Sequence, residues 1–124
     1  MPRKLVLLLI AFEIACATAP LSPPEGTRRV SPPAYLRAEY EELKKCVGIT
    51  YKSFDDVKFY LVPGEDAWFS GSAYVVGQYW QGGDIFILEG ARDEKWVWLH
   101  ELTHYLLDPI QGHPSPPFDE CEYR

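Results

Sequence analysis

The chain has 124 residues, enough for one domain with an apolar core. Its formal net charge is −6, and its 12 Lys and Arg are scattered, with Arg3-Lys4, Arg28-Arg29 and Lys44-Lys45 the only adjacent pairs. This balance weighs against nucleic acid as a partner, because phosphate binding needs clustered cations.

The first 17 residues read as a signal peptide rather than as structure. Arg3-Lys4 gives a positive start, an apolar run follows from Leu5 to Phe12, and small residues stand at Ala15, Ala17 and Ala19. The run is too short to span a bilayer. Two versions fit: cleavage after Ala15-Cys16-Ala17, or a lipoprotein signal ending before Cys16, which would then anchor the chain to a membrane. Either places the protein outside the cytoplasm, secreted or in the cell envelope. Residues 18–33 hold Pro20, Pro23, Pro24, Pro32 and Pro33, and read as a Pro-rich spacer.

Residues 34–124 form the expected domain. Tyr35, Leu36, Tyr40, Leu43 and Val47 recur at helical steps from Ala34 to Val47, and Gly48 is a stop signal. Val57 to Val62 reads as a strand ended by Pro63-Gly64, and Glu65 to Gly71 as a loop. Ala73 to Tyr79 and Asp84 to Leu88 read as two further strands joined at Gly82-Gly83 into a hairpin. Asp93 and Glu94 open a second helix that Pro109 ends. Trp98, Leu99, Leu102, Tyr105 and Leu106 lie opposite His100 and His104 on its wheel, so that rear face should be buried. The C-terminal tail, with Pro114, Pro116 and Pro117, is too Pro-rich for a long helix. The expected class is α+β: an N-terminal helix, a small three-stranded, mostly antiparallel sheet, an active-site helix and a Pro-rich tail.

Beyond the signal two cysteines remain, Cys46 and Cys121. In an oxidising compartment such a pair invites a disulfide, which would close a loop of about 75 residues and contribute roughly 4 kcal/mol. Its partner reading is Cys121 as a metal ligand.

Within the second helix stands His100-Glu101-Leu102-Thr103-His104, an H-E-x-x-H pattern. Residues four apart share a helix face, so His100 and His104 can meet one metal ion, with Glu101 about 100° round the helix beside it. Helix, small sheet and a helix bearing Val97-x-Leu99-His100-Glu101-Leu102-Thr103-His104 resembles the zincin metallopeptidases. The resemblance implies zinc held by His100 and His104, with Glu101 as catalytic base towards metal-bound water. It also implies an edge strand along which a peptide or protein substrate lies, for which Asp84 to Leu88 is the candidate.

The third ligand is not fixed by the motif. Leu107 and Ile110 stand where a metzincin carries its Gly and third His, which excludes that branch. Zinc needs three protein ligands and one open position. His113 is favoured, since Gly112 can turn the chain back and Pro114 stiffens it; Asp119 or Glu120 is the alternative, and Glu122 is also within reach. Tyr74, Tyr79 or a non-ligating His113 would assist at the developing oxyanion. Asp93, Asp108 and Asp119 are candidate acceptors for the second ring nitrogens. The expected function is a zinc metallopeptidase; the alternative is a non-catalytic zincin-fold module for binding or assembly in the envelope.

Overall fold

The computed structural model describes residues 22–71 and 73–121. The expected signal peptide, Cys16, the start of the expected spacer and Glu122 lie outside the described residues. No helix among the described residues is long and apolar enough to cross a membrane.

Helix α1 spans Leu36–Val47 and buries Leu36, Tyr40 and Leu43 on one face. Gly48 ends it in the left-handed region at φ 85°, where its N–H returns to the Lys44 carbonyl. Helix α2 spans Lys95–Leu107. Asp108 has extended backbone before Pro109, which cannot continue the helix, so α2 stops there. Lys52 caps that end, its ammonium donating to the carbonyls of Tyr105 at 2.7 Å and Asp108 at 3.1 Å.

The strands are β1 (Arg28–Val30), β2 (Lys58–Val62), β3 (Trp68–Ser70), β4 (Ala73–Val75), β5 (Gly77–Trp80) and β6 (Asp84–Leu88). The α+β class holds, but the expected three-stranded sheet does not. One sheet has four strands in the order β1-β2-β6-β5, and β3-β4 is a separate two-stranded hairpin. β2 and β6 pair parallel, while β1-β2 and β5-β6 pair antiparallel.

Four local expectations change with this, the first being the single strand Ala73 to Tyr79, which is broken at Val76 into β4 and β5 in different sheets. The Pro-rich segment 18–33 is not all spacer, because Arg28–Val30 adds a strand to β2. The expected loop Glu65 to Gly71 contains β3. The candidate edge strand Asp84–Leu88 is β6, which lies inside the sheet; β1 and β5 are its edges, with β5 next to β6. The turn at Gly82-Gly83 does join β5 and β6 as an antiparallel hairpin.

The core lies between the sheet and the helices. Phe59, Leu61, Ile85 and Ile87 pack with Val97, Trp98, Leu102 and Leu106 of α2 and with Leu36 and Tyr40 of α1. α2 touches β5, β6 and α1, so it is central, and it is mostly buried after Trp96. Its polar groups are satisfied internally: the Thr103 hydroxyl donates to the Leu99 carbonyl, Trp98 Nε1–H to the Arg92 carbonyl, and the Tyr105 hydroxyl to the Ser53 carbonyl. Cys46 on α1 and Cys121 in the tail are joined as a disulfide with Cα atoms 5.8 Å apart. That bond closes the tail over α1 and α2, and it uses the Cys121 sulfur, so Cys121 is not a metal ligand.

Candidate metal centre

His100 and His104 stand one turn apart on α2 with ring centroids 5.0 Å apart. After Pro109 the chain reverses through Gly112, at φ 82°, and brings His113 over the same face. Its ring centroid lies 4.9 Å from each of the other two. One ring nitrogen from each histidine lies within 4.8 Å of the others. His100 Nε2 and His113 Nε2 are 3.1 Å apart. Two nitrogens bonded at about 2.0–2.1 Å to one tetrahedral ion would stand about 3.3 Å apart. The three histidines therefore fit a divalent metal by spacing and by donor type.

Electrostatics favours the same use. Burial, then the neighbouring His113, pushes His100 down to about 4. Burial, then His100 and His113, pushes His104 down to about 4. Both are therefore neutral imidazoles near pH 7, the form that ligates a metal. The same shifts set a pH dependence. An unfolded histidine takes up its proton near pH 6.5, whereas these two resist it until about pH 4. The unfolded state then binds more protons, so stability should fall as pH drops from about 6.5 to about 4. Denaturant melts of chelator-treated protein across that range should show the loss, and His100→Ala/His104→Ala should flatten it. A flat wild-type profile would contradict the burial of these rings.

Glu101 is only 5% exposed, with a carboxylate oxygen 4.0 Å from His100 Nε2. Space for it comes from Gly77 on β5. A Cβ at Gly77 would stand 2.8 Å from Val97 Cγ1, 3.2 Å from Glu101 Cγ and 3.3 Å from Glu101 Oε1. Gly77→Ala should thus cost about 1–3 kcal/mol of stability through overpacking and push the carboxylate out of place. Chemical denaturation and metal titration check this together: stability should drop while metal affinity changes little. An alanine variant of full stability would mean that β5 has room to spare.

A cleft of about 370 Å³ runs between β5 and the 108–113 loop, and His100, Glu101, His104 and His113 line it with Gln78, Tyr79 and Asp108. The Tyr79 hydroxyl donates to Asp108 Oδ2. Burial, reinforced by that carboxylate, raises the Tyr79 pKa, so the phenol keeps its proton. Tyr74 is 75% exposed on β4 and packs on Phe69, outside the lining of this cleft. Asp119 accepts from the Ser115 hydroxyl, and it and Glu120 are exposed, outside the histidine group. Asp93 lies before α2 and is exposed.

Two contributors had no clear signature in the chain's pattern. Gly77 is one. Phe118 is the other: it is buried, and its ring lies 5.1, 4.7 and 4.9 Å from those of His100, His104 and His113. A single large apolar residue three positions before a disulfide cysteine, in a Pro-rich tail, was the available signal. No protein-family model, no curated protein and no solved structure matches the chain.

Proposed function

We propose that the protein is a zinc-dependent metallopeptidase of zincin type, with His100, His104 and His113 as ligands and Glu101 as the catalytic base. The observation that carries this reading is the buried Glu101 beside three convergent imidazoles at the wall of a cleft. A binding site would need the histidines but not a carboxylate held at that place. Zinc is the metal of choice because three neutral imidazoles with an open position suit it. When bound it supplies Lewis-acid activation of a water and of a carbonyl.

The chain's own groups do the rest. Glu101 removes the proton of the attacking water and passes it to the leaving amine. The Tyr79 hydroxyl stands protonated at the cleft wall and would donate to a developing oxyanion by turning its one O–H away from Asp108. The free edge of β5 offers backbone N–H and C=O groups, so an extended peptide can add to the sheet beside the histidines. That edge takes the substrate role first expected of Asp84–Leu88.

The test is hydrolysis of an unstructured protein by the zinc-loaded chain, its loss on chelation and its return with zinc. Full loading without hydrolysis of any peptide pool would favour the non-catalytic module instead. Failure to take up metal would remove both readings.

A further inference from the structure

Residues 109–121 deliver His113 to the metal centre without helix or strand. Their backbone bonds are local turns: Ile110 N–H to the Leu107 carbonyl, Phe118 N–H to the Pro114 carbonyl and Cys121 N–H to the Pro117 carbonyl. The first ties the start of the segment to the end of α2, and the other two fold the tail on itself. His113 itself is exposed. Two side chains anchor the segment. Phe118 buries its ring against all three imidazoles, and Cys121, also buried, is bonded to Cys46 on α1. Only two residues, Asp119 and Glu120, separate Phe118 from Cys121.

We infer that Phe118 is a positioning residue of the metal centre and that the Cys46–Cys121 disulfide is the clamp that holds it, so that reducing this bond releases the third ligand. The inference rests on the reading that the three histidines hold one metal. Phe118 limits where the His113 ring can go, and Cys121 limits where Phe118 can go. With the clamp open, His100 and His104 remain fixed on α2, and His113 becomes a ligand on a loose loop. Metal affinity should then fall about 10- to 100-fold, the loss typical when groups that orient metal ligands are removed.

A route for reduction is present. A cavity of about 400 Å³ is lined by Glu42, Lys45 and Leu99 together with both cysteines. Cys46 is half-buried and Cys121 is buried, so an incoming thiol meets Cys46 first. A dithiol would attack Cys46 Sγ as its thiolate. A mixed disulfide forms at Cys46, the Cys46–Cys121 bond breaks, and Cys121 leaves as a thiolate that takes up a proton. The second thiol of the reductant then displaces Cys46, leaving an oxidised dithiol and two cysteine thiols.

The test is a cobalt(II) titration followed by ligand-field absorption, with zinc competition to set the affinity. Four chains are compared: wild type, Cys46→Ser/Cys121→Ser, Phe118→Ala and Phe118→Leu. Each is measured with His113 present and as His113→Ala. With His113 present, the double serine and Phe118→Ala chains should bind about 10- to 100-fold more weakly, and Phe118→Leu should recover much of the loss. In the His113→Ala background none of these changes should matter by more than a few-fold. Equal affinities across the first series would overturn the inference, and so would equal weakening in both backgrounds, which marks a general loss of fold. If the double serine chain does not fold, the Phe118 pair decides alone, since its disulfide is intact. Cobalt uptake by wild type that ignores Phe118 leaves the metallopeptidase reading standing; no uptake by oxidised wild type ends both. Brief dithiol treatment followed by alkylation should label Cys46 and Cys121 in the native chain, and absence of label would remove the reductive route.

Discussion

Glu101→Gln should leave the protein folded and metal-loaded while hydrolysis falls by about 10²- to 10⁴-fold, the usual contribution of a positioned general base. The substitution keeps the volume of a side chain that is 5% exposed and packed under Gly77. It therefore opens no cavity and makes no new contact with β5. The three imidazoles are untouched, so zinc affinity should stay within a few-fold of wild type. Stability should change little, because the amide keeps the shape and volume of the carboxylate. Zinc titration, thermal unfolding and peptide turnover on one preparation separate these effects. Retained turnover would take the base role from Glu101, and lost zinc would make Glu101 a structural part of the site.

Removing the Cys46–Cys121 bond should have the largest effect on stability. The bond spans 75 positions, for which chain entropy gives roughly 4 kcal/mol. A domain of this size is stable by about 5–15 kcal/mol in all, so most of the margin of a weak fold would go. Cys46→Ser/Cys121→Ser should unfold at a much lower denaturant concentration, and added zinc should restore part of the difference by binding the folded state. A midpoint unchanged by the double substitution would mean that the tail is held by its turns and Phe118 alone.

Several features were legible in the sequence because they are local. The helical spacing of Leu36, Tyr40, Leu43 and Val47, the stop at Gly48 and the break at Pro109 all depend on neighbours a few residues away. His100 and His104 share a face for the same reason, and the hairpin at Gly82-Gly83 follows from its turn residues. The cysteine pairing could be anticipated because only two cysteines, Cys46 and Cys121, follow Cys16.

What stayed hidden is non-local. Arg28–Val30 has no alternating pattern, and it is a strand because the edge of β2 offers it partners. The position of β6 inside the sheet comes from parallel pairing with β2 across the whole β3–β5 excursion, which no short window contains. Gly77 looks like any strand glycine until Glu101 is seen 3.3 Å from its ideal Cβ. His113 could be favoured but not selected, since its choice over Asp119 and Glu120 depends on how Phe118 and Cys121 fold the tail over α2.

The most direct measurement is X-ray absorption at the zinc edge of protein loaded with one equivalent. The expected spectrum has three imidazole nitrogens at about 2.0–2.1 Å and one light atom in the open position, and His113→Ala removes one imidazole from the fit. A wild-type shell with two imidazoles or fewer, or one unchanged by His113→Ala, would contradict a centre built from His100, His104 and His113.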